Sequence, residues 1–397
     1  MREEFEAVVV GAGPSGLTAA LALANAGLST ALIGARAPDD HRTTALLTSS
    51  VAALSTLGVW DFCRDQAAAL RSLRIVDDTG RLWRAPETCF ECAEIGLEAF
   101  AYNIENRHLI AALENKAAGH PHLKRFEANA VAVTPAQDRV TIELSDGTQL
   151  SAKLAVGADG RNSICREAAG IEMRSSDYPQ VALTFNVAHH RPHRDISTEF
   201  HTEHGPFTTV PLPGNRSSIV CVVDERQAEF IRSLDEAALN LELERRCHSM
   251  LGKIAVEPGS GQFPLRAETA QLFGSKRIAL IGEAAHRFPP IGAQGLNLGL
   301  RDAAAIAEVA TAHRDDPGSD DAVAAYETMR RADVMSRSVA VDLLNRSLLS
   351  NLLPIQALRG LGLHILGNVG PLRRAVMREG VMPGASQPRL MRGEALT

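Results

Sequence analysis

Three glycine breaks, each following an apolar run, are the parts of this chain whose residue types and spacing suit chemistry. They are Gly11-Ala12-Gly13-Pro14-Ser15-Gly16, Gly157-Ala158-Asp159-Gly160, and the stretch from Gly282 through Pro290 and Gly292 to Gly295. A glycine lets a ligand approach the main chain, and a helix that starts there turns unpaired N–H groups and its positive dipole end toward the ligand. The chemistry on offer is the holding of a phosphorylated or electron-accepting group. No Ser-His-Asp set and no carboxylate pair stands out as a nucleophile or an acid–base couple. Five histidines crowd residues 189–204. No cysteine or carboxylate grouping completes a ligand set around them, so they read as exposed strand and loop residues, and no metal is expected.

The elements that must position these breaks follow from pattern. Residues 7–10 read as a buried strand, Leu17, Ala20, Leu21 and Ala24 form the apolar face of a helix, Gly27 ends it, and residues 30–33 form the next strand. This βαβ unit carries the dinucleotide fingerprint, with Gly11 for the tight turn, Gly13 for approach of a pyrophosphate and Gly16 for helix–strand packing. The acidic residue expected after the second strand is replaced by Gly34, and Arg36, Asp39, Asp40 or a water is expected to substitute for it. Further on, residues 51–60 read as a helix, 73–83 as a hairpin turning at 77–80, and 101–117 as a helix with Leu109, Ile110 and Leu113 buried. Residues 131–150 read as two strands, and 178–261 as alternating strands without a nucleotide signal, the pattern of a mostly antiparallel sheet. A strand at 278–281 leads to a helix restarting near Gly295, and the chain after Tyr326 is helical to about Arg346. A leucine-rich run at 348–363, broken by Pro354, follows, and the last dozen residues are expected to fray.

In this order and at this spacing the three motifs resemble the class A flavoprotein monooxygenases, FAD enzymes that hydroxylate aromatic rings, and within them the ubiquinone-biosynthesis hydroxylases. The resemblance covers nearly the whole chain. It implies an α/β fold: a Rossmann-like FAD-binding domain of the glutathione-reductase type (residues 1–70, 101–176 and 262–330), an antiparallel-sheet substrate domain (71–100 and 177–261) and a C-terminal helical segment (331–397). It also implies site residues. Gly11, Gly13, Pro14, Ser15 and Gly16 take the pyrophosphate, Arg42 lies against the cofactor, and Arg107 approaches its flavin side. Arg42 has an alternative as a solvated loop arginine, and Arg107 as a salt-bridge partner of Glu105 or Glu114. Asp159 and Gly160 serve both the FAD pyrophosphate and reduction by NAD(P)H, while Arg161 and Arg166 meet phosphates or neutralise Asp159 and Glu167. Gly282 and Glu283 stand where the family has Gly-Asp, the acid holding a ribityl hydroxyl. Glutamate keeps the charge and adds one methylene. Gln294 and Asn297 match the rest of this motif, His286 orients the loop, and Pro290, Gly292 and Gly295 are expected near the isoalloxazine.

The activity implied is hydroxylation of an aromatic ring by FAD, NAD(P)H and O₂, with a lipid-tailed polyprenyl phenol of ubiquinone synthesis as substrate. Two alternatives stand beside it: a small soluble aromatic or secondary metabolite as substrate, and a non-catalytic flavin-binding scaffold, motivated by Gly34 and Glu283.

Composition sets the frame. At 397 residues, 45% hydrophobic and 22% charged, the chain suits two or three globular domains with a large core. Its six cysteines are scattered apart from Cys89 and Cys92, which fits a reducing cytoplasm. No apolar run approaches the ~20 residues of a membrane span. From Arg330 onward ten arginines face four acidic residues, +6, which leaves −12 of the net −6 on the rest. A basic, leucine-rich end on an acidic body points to an anionic membrane surface, a biosynthetic partner or a second subunit, and not to nucleic acid.

Overall fold

A computed structural model describes residues 2–36, 38–80, 84–289, 293–349, 369–381 and 387–396, with backbone alone for 2 and 338–349. The expected Pro290 and Gly292, most of the leucine-rich run and Trp83 lie outside the described residues. Helices are α1 (Pro14–Asn25), α2 (Thr48–Thr56), α3 (Asn106–Ala117), α4 (Ile164–Ala169), α5 (Glu225–Ser233), α6 (Glu236–Arg246), α7 (Gln294–Ala312), α8 (Asp320–Leu349) and α9 (Gly370–Val381).

The first sheet is built on the strand Arg2–Val10, which runs parallel to Thr30–Ile33 on one side and to Gln149–Gly157 on the other. Ile278–Leu280 continues the parallel row beside Gln149–Gly157, and Leu123–Phe126 extends it beyond Thr30–Ile33. Its apolar strands are covered by helices, as parallel sheets must be. α1 is buried from Gly16 to Ala24 because it is wedged between this sheet and α7.

The second sheet is mostly antiparallel, and its long strand Met173–His189 pairs with Arg216–Asp224 and Gly261–Ala270. Alternation sorts its residues. Leu183, Phe185, Val187, Ile219, Cys221 and Val223 join a core with Ala228, Ile231 and Leu243 of α5 and α6, so Thr184, Asn186, Ser218 and Val220 face the other way. A small sheet of Thr43–Leu47, Ala101–Glu105 and Ala67–Leu70 stands between the two.

Several expectations are corrected. Residues 101–105 form a strand, and the helix begins only at Asn106. The extended chain lets Asn103 donate to Pro211 O (2.9 Å) and Glu105 accept from Arg216 (3.0 Å), partners on the second sheet that a helix would turn away from. The 77–80 turn does not close a hairpin. The Asp77 carboxylate accepts from the N–H groups of Thr79 (3.2 Å) and Ala85 (3.0 Å), and the strand that returns on Ser72–Asp77 is Thr88–Glu91. Within 131–150 an extra hairpin, Ala130–Pro135 with Val140–Leu144, precedes the strand that reaches Gly157. His189 and His201 are buried, at 5% and 4% exposure, because Arg191 O, Ser217 Oγ and Glu199 satisfy their rings. Nor does the C-terminus fray, since Leu390 and Met391 are 2% exposed in the main core beside α2.

Candidate active site

The three glycine breaks meet at the carboxyl ends of neighbouring parallel strands, where open α/β sheets bind ligands. The first and second touch directly: Ala158 N donates to Val10 O (2.7 Å), and a Cβ on Gly11 would lie 2.2 Å from Ala158 O. The second and third are tied by Ile281 N to Gly157 O (2.9 Å). First and third meet through Ser15, whose hydroxyl would lie 2.3 Å from a Cβ on Gly299. Gly16 is required by contact, a Cβ there falling 1.9 Å from Gly11 O, whereas a Cβ on Gly13 would meet nothing within 4 Å. The turn is packed shut behind and open in front. No side chain caps the first turn of α1, so its N–H groups face this opening, a cradle suited to a pyrophosphate.

That opening is one end of a cavity of about 530 Å³ reaching from the α1 terminus to the second sheet. Gly13, Pro14, Ser15, Gly16, Gly160, Gly282, Glu283 and Gly295 line the cofactor side, and Thr184, Asn186, Ser218, Val220, Phe263 and Leu265 the far wall. Arg42 lines it too, pairs with Asp40 (2.6 Å) and lies 5.5 Å over the Phe263 ring. Exposed Glu283 sits on the short turn after Ile281 and acts electrostatically on Arg42.

The other expected residues make these contacts within the protein. The Asp159 carboxylate accepts from Ser163 Oγ (2.6 Å) and Cys165 N (3.1 Å), fixing the start of α4. Arg166 donates to Ala284 O (3.1 Å) and Arg161 O (2.8 Å), so it fastens the second break to the third. Asn297, 1% exposed, accepts from Leu47 N (2.9 Å) and Ser50 Oγ (2.7 Å) and anchors α7 to the small sheet. Gln294 opens α7 and accepts from Arg337 (3.0 Å). Arg36 and Arg107 line a separate cavity of about 680 Å³ along α3, where Arg36 pairs with Glu127 (3.0 Å) and Arg107 with Glu105 (3.1 Å). Gly34, at φ +143°, brings its would-be Cβ to 3.0 Å from Ala12 N, so the backbone excludes the acidic side chain sought there.

The sequence reading missed what lies under the Gly282 turn. Asp302, fully buried, accepts from Gly282 N (3.0 Å), His286 Nε2 (2.6 Å) and Arg330 Nε (2.6 Å). Arg330 also reaches Asp333 (2.8 Å), which binds Arg301 (2.8 Å) and Arg337 (2.9 Å). Burial alone would raise the Asp302 carboxyl, but the charges of His286 and Arg330 and the bonds it accepts hold it below its ordinary value. The signal in the sequence was Arg301-Asp302 set inside a helix of small apolar residues. His286 thus holds the loop through Nε2, while its buried Nδ1 has no partner among the described residues. Glu105 is a second such knot, 2% exposed. Burial pushes its carboxyl up, but Arg216, Arg107 and His41 bring it below normal while joining the small sheet to the second.

Fold and site define a dinucleotide-binding α/β protein whose ligand cavity is walled by a second, antiparallel sheet. The chain belongs to the FAD binding domain family, which matches residues 4–340, and FAD is its cofactor. The ubiquinone hydroxylase UbiL of Rhodospirillum rubrum is 33% identical over 98% of this chain and 93% of its own length. The 3-demethoxyubiquinol 3-hydroxylase of Escherichia coli is 30% identical, over 94% and 97%. Among solved structures, p-nitrophenol 4-monooxygenase of Pseudomonas putida shares the fold with a TM-score of 0.77 at 20% identity, covering 95% of this chain and 98% of that one.

Proposed function

We propose that this protein is an FAD-dependent monooxygenase that uses NAD(P)H and O₂ to hydroxylate the ring of a polyprenyl phenol in ubiquinone synthesis. The observation that supports the reading is the continuity of the cavity from the α1 cradle to the wall of the second sheet, so that one enclosure opens on both a cofactor cradle and a ring-binding wall. Bound FAD, once reduced, supplies O₂ activation, one oxygen atom entering the ring and the other leaving as water. The chain supplies the rest. Gly11, Gly13 and Gly16 with the N-terminus of α1 hold the pyrophosphate, Glu283 accepts from a ribityl hydroxyl, and Arg42 neutralises charge beside them. The uncapped start of α7 at Gln294 and Gly295 places a positive dipole end where negative charge gathers. Phe263, Leu265 and Val220 exclude water from the ring. In this division of labour residues 1–70, 101–176 and 262–330 hold the cofactor, and 71–100 and 177–261 hold the ring.

The lipid tail of such a substrate agrees with the C-terminal surface. α9 packs on Phe90 and Phe100 through Met377 and Val381 and leaves Val369, Leu372 and Val376 exposed beside Arg374 and Arg378. Apolar and basic side chains side by side favour peripheral contact with an anionic membrane. Among the described residues no helix is long and apolar enough to cross one.

The test is the purified protein's flavin absorbance, followed by product analysis with a prenylated phenol, its tail-less parent and p-nitrophenol, each with NADH and NADPH. Ring hydroxylation that depends on the prenyl tail supports the reading. Equal turnover of the tail-less phenols moves the substrate to soluble aromatics, and bound flavin with no turnover of any of them refutes an oxygenase.

A further inference from the structure

Among the described residues, two buried polar side-chain atoms without a partner belong to residues that line the main cavity: His286 Nδ1 on the cofactor side and Thr184 Oγ1 on the second sheet. A hydroxyl left in that state is destabilising, which points to a ligand group that completes it. Two other polar side chains on the Thr184 face already have protein partners. Asn186 donates to His41 O (2.7 Å), and Ser218 Oγ accepts from Asn103 (3.2 Å). Thr184 differs in its neighbours as well. Across the ladders it pairs with Val220 and Gly261, and a Cβ on Gly261 would stand 2.9 Å from both Thr184 Oγ1 and the Phe263 ring. The absence of a Cβ at Gly261 lets that strand pack close against the hydroxyl and the Phe263 ring, and Val220 stands across the other ladder.

We propose that Thr184 is a specificity-determining residue whose hydroxyl anchors a neutral oxygen substituent, hydroxyl or alkoxyl, on the substrate ring. This rests on the monooxygenase reading and sharpens its substrate class. A hydroxyl can donate to an ether oxygen or exchange bonds with a phenol. The anchor stands on a strand of the second sheet, so it fixes the rotation of the ring and with it the carbon presented to the cofactor.

Three forms of the FAD-loaded protein test this: wild type, Thr184→Val, which keeps the shape and removes the hydroxyl, and Thr184→Ser, which restores it. Each is measured with an oxygenated prenyl ring and with the analogue lacking one ring oxygen, recording KM, kcat and product formed per NAD(P)H consumed. The expected result is a KM for the oxygenated ring raised about tenfold in Thr184→Val. Product per NAD(P)H should fall, Thr184→Ser should recover to within about threefold, and the deoxy analogue should be indifferent to the change. Flavin absorbance should be unchanged in both variants and the melting temperature should not fall, rising if anything in Thr184→Val, which separates an anchor from a packing residue. Unchanged KM and product yield in Thr184→Val, with wild type active, overturns the anchor and leaves the monooxygenase standing. A wild type that binds FAD and hydroxylates neither ring overturns both.

Discussion

Replacing Asp302 with asparagine removes one charge from the centre of the molecule and leaves every contact its shape. Oδ2 now serves Gly282 N and His286 Nε2 while Oδ1 serves Arg330. An amide has one oxygen, so either the Gly282 turn or Arg330 loses its acceptor and faces an N–H instead. Removing one partner of a buried pair costs about 3–5 kcal/mol, and the lower end applies because Arg330 keeps Asp333 at 2.8 Å. The exposed pair Arg64 and Asp61, with side chains 60% and 80% exposed, gives an internal control. Asp61→Asn should shift stability by less than about 0.5 kcal/mol. The assay is urea unfolding of the protein without FAD, followed by tryptophan fluorescence, of which the chain has two. It also has a pH signature. The folded Asp302 carboxyl sits below its unfolded value, so its contribution is complete above about pH 4 and is lost as pH falls through the folded value. Asp302→Asn should therefore flatten the acid limb of the stability profile. A variant within about 1 kcal/mol of wild type, with the acid limb intact, would refute the argument that this network carries the Gly282 turn.

Gly16→Ala forces a Cβ to 1.9 Å from Gly11 O, and FAD taken up per protein should fall more than tenfold while distant surface variants keep full occupancy. Gly34→Glu, the change that would restore the expected acid, should lower the melting temperature and fail to tighten FAD, because φ is +143° and Ala12 N stands 3.0 Å from the new Cβ; tighter binding by flavin titration would contradict this. Truncation after residue 386 removes Leu390, Met391 and Leu396 from the core and should cost about 4 kcal/mol or more in urea unfolding, whereas a frayed tail would cost nothing measurable. Leu372→Asp with Val376→Asp should reduce co-sedimentation with anionic vesicles and leave flavin absorbance alone; equal co-sedimentation would remove α9 from the membrane reading.

The glycine breaks were legible because local geometry writes them into sequence. A strand that must turn into a helix at a ligand needs Gly11 and Gly16 within six residues, and apolar runs on both sides announce the buried strands. The alternation in 178–261 likewise reports a sheet with two unlike faces. Residues 101–105 were misread because an apolar spacing short enough to fit both periods is decided by partners elsewhere, here Pro211 and Arg216. The C-terminal residues 387–396 were misread for a related reason: prolines and glycines describe a poor local element, and only the groove beside α2 makes burying Leu390 and Met391 worthwhile.

Sequence alone determined that this chain has a dinucleotide cradle, three glycine breaks and a flat partner sheet, since each depends on neighbours within a few residues. Tertiary structure alone decided which side chains complete the site. Asp302 and Arg330 are 28 residues apart, and Asn103 and Ser218 are 115 apart. Among the described residues Thr184 Oγ1 has no partner, whereas Asn186 on the same sheet face finds one in His41, 145 residues away. A hydrogen bond or ion pair across such separations leaves no periodic trace, because its partners are chosen by where the packed sheets and helices bring them, after the chain has folded.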